Sequence, residues 1–169
     1  MSILLSAYYS HKKTHSTEDW SRLSEQRELL QHSSFAEGLL LTLAFLNSHQ
    51  FSPRTAGPFL ALQQWNYNDK QITTIRMEDA VTDPAAFLNH FLQLSGLQHL
   101  ALPDTRQFLF ERFTGRETGE VDNSSHYRSG NPNAWRTELP KFIVKYMRDE
   151  FHSFLERFYP DSLQDSDDL

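Results

Sequence analysis

The sequence predicts a mainly α-helical chain with about one buried strand, and three observations lead to this fold class. Apolar residues recur in several segments at the period of about 3.6 residues that is typical of a helix with one buried side. Helix start signals precede two of these segments. One short β-branched segment, residues 72–75, is bounded by turn-forming residues, which is typical of a buried strand in a parallel sheet.

Four helices are predicted before this strand. The apolar start of the chain indicates the first helix, and leucines at helical spacing indicate the second. Ser34, with Glu37 three residues later, is a capping box that opens the third helix. The predicted ranges are residues 1–9, 18–32, 35–46 and 55–65.

Three further helices are predicted after the strand, over residues 84–95, 105–113 and 137–158. Asp83 is expected to cap the first of them, with Pro84 at its first position and Gly96 at its end. Gly115 is expected to stop the second. Residues 161–169 are acidic and are predicted to be a disordered tail.

Length and composition limit the function classes. The chain of 169 residues is long enough for one domain with its own core, which we assign to residues 1–160. A net charge of −6 argues against nucleic-acid binding, because that function needs a basic surface. The sequence has no Cys, which excludes disulfides and thiolate metal sites and fits a cytoplasmic location.

No membrane segment is predicted. The apolar run at the N-terminus is too short for a signal peptide, and its positive charges follow the run instead of preceding it. The longest apolar run, residues 38–46, is far below the ~20 residues that a bilayer span needs. Membranes and nucleic acids are therefore not expected among the partners.

A polar loop over residues 108–135 carries the most informative functional pattern, because aromatic residues and arginines bracket it. Arg128 stands beside Ser129 and Gly130, and this combination offers a cationic fork and accessible backbone N–H groups that suit a phosphate. Phe110 offers a flat face on which a base can stack. The loop therefore predicts a nucleotide clamp. The alternatives are a plain surface turn at Arg128 and an ordinary core position for Phe110.

Four segments resemble, in order and in approximate spacing, the motifs of the PAPS-dependent sulfotransferases. These enzymes move a sulfuryl group from 3′-phosphoadenosine 5′-phosphosulfate (PAPS) to an acceptor. The segments are residues 3–11 (ILLSAYYSH), 75–84 (IRMEDAVTDP), 110–116 (FERFTGR) and 128–136 (RSGNPNAWR). The resemblance extends along most of the chain. It implies an α/β fold of the P-loop-like kind, in which the predicted strand lies inside a parallel sheet.

The resemblance also implies roles for five residues. Phe110 stands where the family's Phe packs on the adenine, and Arg128, Ser129 and Gly130 stand in the segment that binds the 3′-phosphate. Ser6 stands where the family has a Ser that also holds the 3′-phosphate. The implied cofactor is PAPS as sulfuryl donor, with no metal. The implied acceptor is a hydroxyl or amine of a small molecule or carbohydrate.

The family's other functional motifs would precede Met1. They are a glycine- and threonine-rich loop for the 5′-phosphosulfate and a catalytic His or carboxylate. No Gly of this chain is followed by Lys, so the sequence offers no phosphate cradle of the P-loop kind. We therefore expect the C-terminal portion of a sulfotransferase domain, inactive alone and with no catalytic residue. Its expected partner is the missing N-terminal half or another protein chain.

Four positions inside the motifs depart from the family's residues. Where the family has Ser, Lys, Gly and Asp, this chain has Leu109, Ser129, Asn133 and Ala134, in that order. These departures, with the acidic net charge, favour a second hypothesis. In it the chain is a non-catalytic helical interaction protein derived from a sulfotransferase.

Two other side-chain pairs have a chemical interpretation and a plain one. His11 and His15 are four residues apart, which is metal-ligand spacing on a helix, but two Lys residues lie between them and favour a solvated basic turn. Glu78 and Asp79 could act as an acid/base pair. We prefer for them a role in capping or in pairing with an Arg.

Overall fold

The computed structural model describes residues 1–18, 22–49, 51 and 55–164. These residues are mainly helical, as the sequence predicts, and no β-strand occurs among them. The chain divides into two compact units. The first consists of Met1–Asn66, Asp122–Arg128 and Asn133–Leu169, and the second consists of Tyr67–Val121 and Ser129–Pro132.

The helices of the first unit flank those of the second along the chain. The first unit holds α1 Ser2–Tyr9, α2 Leu23–Gln31, α3 Phe35–Leu46, α4 Pro58–Gln64, α8 Trp135–Glu138, α9 Lys141–Glu150, α10 His152–Phe158 and α11 Asp161–Gln164. A π-helical segment, Ser10–Thr14, follows α1 directly. The second unit holds α5 Met77–Thr82, α6 Pro84–Leu94, a 3₁₀ helix Thr105–Phe108 and α7 Phe110–Thr114.

The core of the first unit forms where α1 packs against α3. Gly38 on α3 permits this approach, because an added Cβ would lie only 2.5 Å from Cε2 of Tyr8. Apolar side chains of α2, α4, α9 and α10 complete the core. Its fully or almost fully buried members include Leu4, Leu5, Leu30, Leu39, Leu46, Phe59, Ile143 and Met147.

Local signals in the sequence account for several helix ends. At α3 the predicted capping box is confirmed: the Ser34 hydroxyl oxygen accepts from the Glu37 N–H, and the Glu37 carboxylate accepts from the Ser34 N–H at 2.9 Å. Pro58 begins α4, so this helix starts three residues later than predicted. The second helix begins at Leu23, and residues 19–21 of its predicted range lie outside the described residues.

The predicted continuous helix over residues 137–158 is wrong, since three helices occupy this region. Leu139 adopts an extended conformation with ψ of 135° because it precedes Pro140, and this ends α8. Pro140 then caps α9, and Phe151, at φ −106° and ψ 22°, separates α9 from α10. The apolar periodicity survives the interruptions, so Ile143, Met147 and Leu155 are all buried as a helical pattern requires.

In the second unit, the ends of α6 are those that the sequence predicts. Asp83 accepts a hydrogen bond from the Ala86 N–H at 2.9 Å, and Pro84 occupies the first helical position. Gly96 has φ of +69°, and the Leu97 N–H donates to the Leu92 carbonyl at 2.7 Å. The Gly96 N–H donates to the Gln93 carbonyl at 3.1 Å, and the two bonds form a Schellman C-cap, which needs a residue in the left-handed region. Gly115, with φ of +68°, ends α7 in the same region.

The predicted strand at residues 72–75 is wrong. This segment has no regular secondary structure, and Ile72 and Ile75 are 41% and 39% exposed instead of buried. A strand forms only where a neighbouring strand accepts its backbone hydrogen bonds, and the described residues supply none. The exposure is general, because no residue of Tyr67–Val121 is buried.

The C-terminal segment is helical further than predicted. Its first four residues form α11, and Arg148 Nε donates to the Ser162 carbonyl at 2.8 Å. The remaining residues of the predicted tail, 165–169, lie outside the described residues. In the described part of the chain, every helix falls short of the length and apolar character that a membrane span requires.

Candidate functional site

Arg128 ends a loop, residues 122–128, whose shape is fixed by short-range hydrogen bonds. The Asp122 N–H donates to the Arg128 carbonyl at 2.9 Å, which closes the loop. The N–H and hydroxyl groups of Ser124 donate to Oδ1 of Asp122 at 2.8 and 2.6 Å. This pattern is an Asx turn, which holds the backbone without help from a helix or strand. Arg128 is therefore presented from a defined backbone.

The side chain of Arg128 is only 10% exposed, and it contacts polar and aromatic groups of the first unit. Its guanidinium carbon lies 4.4 Å from the centroid of the Tyr9 ring on α1, within cation–π distance. Its Nε donates to Oδ1 of Asn123 at 2.8 Å. Its Nη2 donates to Oε2 of Glu138, the last residue of α8, in an ion pair.

These surroundings keep a charged group stable in a poorly hydrated place. Hydrogen bonds to charged groups contribute about 1.5–3 kcal/mol, and loss of one partner would leave the other charge poorly solvated. Burial raises the pKa of the Tyr9 phenol; the positive charge of Arg128 opposes this shift, and the negative charge of Glu138 adds to it. The phenol therefore stays neutral beside the guanidinium at physiological pH.

The guanidinium of Arg128 has the chemistry to pair with an anion. A guanidinium offers N–H groups in a planar fork that matches a carboxylate or a phosphate. In this structure the carboxylate of Glu138 is such an anion. Sequence reasoning found Arg128 but missed Tyr9, Asn123 and Glu138 as its partners, because no spacing pattern relates an arginine to the face of a distant helix.

Phe110, the predicted base platform, lies at the start of α7 in the second unit. Gly130 lies in a loop of the same unit. Gly130 has φ of +61°, and an added Cβ would lie 2.5 Å from Cγ of Phe110. The backbone of Gly130 therefore packs directly on the Phe110 ring. The guanidinium carbon of Arg116 lies 5.3 Å from the centroid of the same ring. The predicted phosphate-binding Gly and the predicted stacking Phe are thus brought together.

Ser129 is buried, and its groups are used within the second unit. Its carbonyl accepts from the Gly119 N–H at 2.7 Å, and its hydroxyl oxygen accepts from the Asn131 N–H at 3.4 Å. Its side chain is only slightly exposed, at 6%. Ser129 is therefore poorly accessible to a ligand in this structure.

Ser6 is exposed on α1, in the first unit with Arg128. It lies one turn before Tyr9, and residues three apart share a helix face. Ser6 is therefore on the same side of α1 as Tyr9, whose ring contacts the Arg128 guanidinium. The five predicted site residues divide between the units: Ser6 and Arg128 belong to the first, and Phe110, Ser129 and Gly130 to the second.

Three histidines of the first unit, His11, His15 and His126, form a ring cluster instead of a solvated turn. The His11 and His15 ring centroids are 5.9 Å apart, and those of His15 and His126 are 6.4 Å apart. His11 is buried, and burial, with the neighbouring His15, lowers its pKa to about 4. Arg27 donates to the His11 and His15 carbonyls at 2.8 and 2.5 Å. Across the described residues, no group of three His, Asp or Glu side chains is arranged to hold a metal ion.

Asp79 forms an ion pair with an Arg, which is one of the two plain roles expected for it from the sequence. Nη2 and Nε of Arg76 donate to its two carboxylate oxygens at 2.5 and 3.2 Å. These hydrogen bonds hold the pKa of Asp79 below its usual value. The pair is exposed, so it resembles a surface ion pair more than an acid/base site.

Comparison with known proteins finds no matching family model and no significantly similar curated protein or solved structure.

Proposed function

We propose that this chain is a sulfotransferase-like protein that carries the 3′-phosphate and adenine side of a PAPS site. In this proposal it serves transfer of a sulfuryl group from PAPS to a hydroxyl or amine of a small-molecule or carbohydrate acceptor. It has no catalytic base of its own and is inactive alone. We assign it to the cytoplasm, in keeping with a sequence that contains no Cys.

The observation that carries this proposal is the anion pairing of Arg128. The Arg128 side chain is 10% exposed, and its guanidinium lies over the Tyr9 ring and already pairs with a carboxylate. Such a group has the chemistry of a phosphate ligand. The residue is also the first of the motif that resembles the family's 3′-phosphate segment.

Phe110 supports the adenine half of the proposal. Contact with Gly130 fixes its ring, and a ring held in place loses little entropy when a base stacks on it. Arg116 lies over the same ring at 5.3 Å, so a base would displace it or stack on the face that it leaves open.

The product 3′,5′-ADP tests the proposal better than PAPS, because the part of the site that would hold the sulfuryl group is not assigned to this chain. We expect binding by calorimetry, and weaker binding of 5′-AMP, which lacks the 3′-phosphate. Arg128→Ala should weaken 3′,5′-ADP binding about tenfold to a hundredfold, because it removes a charge-assisted bond of about 1.5–3 kcal/mol. Phe110→Ala should remove about 1–3 kcal/mol of stacking.

Arg106→Ala is the matched control, since it removes an Arg from an exposed ion pair with Asp104. Circular dichroism of each variant separates lost binding from lost folding. Equal affinity in the wild type, Arg128→Ala and Phe110→Ala would locate the nucleotide elsewhere. Sulfuryl transfer by the purified chain, abolished by Arg128→Ala, would refute its inactivity.

A second candidate, the helical interaction protein, is favoured by one specific observation. No residue of Tyr67–Val121 is buried, although this segment carries large apolar side chains. Those exposed by more than two fifths include Met77, Val81, Phe91, Leu94, Leu100, Phe108 and Phe113. Exposed apolar side chains at this density are typical of surfaces that another protein covers. Absence of 3′,5′-ADP binding at millimolar concentration, in a folded chain, would favour this function over the first.

A further inference from the structure

We propose that Glu138 is an internal counter-anion that competes with the ligand phosphate for Arg128. A ligand would then bind only when the Glu138 carboxylate leaves the guanidinium. This inference deepens the proposed nucleotide site and rests on it, and the experiment below separates the failure of one from the failure of the other.

The geometry of the ion pair gives the first reason. Nε and Nη2 form the edge of a guanidinium on which a carboxylate or phosphate binds side-on with two parallel bonds. On Arg128, Asn123 accepts from Nε and Glu138 accepts from Nη2. A phosphate seated side-on on this edge must therefore take the positions of the Glu138 oxygen and of Oδ1 of Asn123.

Charge gives the second reason. Glu138 carries a negative charge where the proposed ligand would bring at least one more, and two anions on one poorly hydrated cation repel each other. Glu138 is also the more exposed partner, at 26% against 10% for Arg128. Water and ligands therefore reach the carboxylate more readily than the guanidinium.

The position of Glu138 makes such an exchange feasible without refolding. It is the last residue of α8, and its backbone N–H donates to the Ala134 carbonyl at 3.1 Å. This backbone bond does not depend on the position of the side chain. Rotation about its side-chain bonds is enough to move the carboxylate toward solvent. The anion on Arg128 can therefore change while the fold of the first unit stays the same.

The competition sets the apparent affinity. When a binding-competent state is only partly populated, the measured dissociation constant is the intrinsic one divided by the populated fraction. Removal of the Glu138 charge should therefore tighten anion binding. If the fork is free about a tenth of the time, the gain is about tenfold.

The test is calorimetric titration of the full chain with 3′,5′-ADP and, separately, with inorganic phosphate. The variant is Glu138→Gln, which keeps the size of the side chain and removes its charge. Asp149→Asn is the matched control, because it removes one negative charge from the exposed ion pair with Lys145. We expect Glu138→Gln to bind about tenfold more tightly than the wild type, and Asp149→Asn to match the wild type.

Each outcome decides between the two ideas. If the wild type binds 3′,5′-ADP and Glu138→Gln binds it equally or more weakly, the competition is overturned and the nucleotide site is retained. Tighter phosphate binding by Glu138→Gln, with no 3′,5′-ADP binding by any variant, supports the competition and overturns the nucleotide site. No binding of either probe by folded variants overturns both.

A measurement on the wild type keeps the inference testable if Glu138→Gln does not fold. In ¹⁵N NMR spectra the Arg128 side-chain Nε–H signal should shift during titration with phosphate, because the guanidinium exchanges one anion for another. In ¹³C spectra the signal of the Glu138 side-chain carboxyl carbon should shift as well, because this carboxylate loses its cation. A shift of Arg128 alone would show that phosphate binds beside Glu138 without displacing it, which contradicts the proposal.

Discussion

Two poorly exposed side chains of the first unit, those of Arg128 and His11, differ in how they avoid an unpaired charge away from water. Arg128 keeps its charge, because Glu138 supplies a counter-ion and Tyr9 supplies the negative face of a ring. His11 gives up its charge, because burial and the neighbouring His15 and Arg27 all disfavour the imidazolium. A guanidinium cannot lose its proton at any accessible pH, so away from water it needs an anionic partner. An imidazole can instead become neutral.

The neutral state of His11 makes stability depend on pH. Its pKa falls from 6.5 to about 4 on folding, so the unfolded chain takes up a proton that the folded chain refuses. Stability from this group is complete above pH ~7 and is lost as the pH falls through 6.5 toward about 4. The loss amounts to about 2–3 kcal/mol.

Urea unfolding at a series of pH values, for the wild type and His11→Gln, measures this contribution. Other groups titrate as well, so the quantity of interest is the difference between the two pH profiles. The wild type should lose about 2–3 kcal/mol more than His11→Gln between pH ~7 and pH ~4.5. Parallel profiles would mean that the pKa of His11 does not fall on folding.

At the scale of helices, the ends with a local chemical signal could be predicted from the sequence and the others could not. The helix caps formed by Ser34 with Glu37 and by Asp83 with the Ala86 N–H join residues three apart, so the sequence alone contains the interaction. The break at Phe151 has no such signal, because its residues fit a helical pattern and tertiary packing decides their conformation. The break at Pro140 follows from proline geometry, whereas the apolar period alone predicts a continuous helix.

The capping box of α3 can be tested by itself. Ser34→Ala removes the hydroxyl that accepts from the Glu37 N–H, and loss of such a cap costs about 0.5–2 kcal/mol. Ser6→Ala is the control, because Ser6 is an exposed residue inside α1, where Ala is at least as good a helix former. Thermal and urea unfolding should show Ser34→Ala less stable and Ser6→Ala unchanged or slightly more stable. Equal stability of the two variants would show that the cap contributes nothing.

At the scale of the whole molecule, the two units differ in what holds them together. The first has a core of buried side chains from helices far apart in sequence, whereas Tyr67–Val121 in the second buries none. The sequence predicted mainly helical structure correctly, since helices depend on local patterns. It failed at residues 72–75, since a strand depends on a partner that local patterns do not contain. The same limit explains why Arg128 could be proposed from its motif while Glu138 and Tyr9 could not.

Hydrogen exchange measured by mass spectrometry should report this difference. The helices α3 and α6 make a good internal comparison, because both have capped N-termini and similar lengths, 12 and 11 residues. Only α3 has buried residues. Amides of α6 should therefore exchange much faster than those of α3, at rates set by local opening. Comparable protection of the two helices in the isolated chain would contradict the exposure of the second unit.

The exposure of Tyr67–Val121 also determines how freely this segment can change its sequence. A change in side-chain volume lowers the free energy of unfolding where the side chain is closely packed, as at Leu39 or Ile143. The same change has little effect where the side chain is surrounded by solvent. Volume therefore imposes little constraint on Met77 or Phe113, which are 68% and 58% exposed. An apolar residue retained at either position in related sequences would report a contact made from outside the unit.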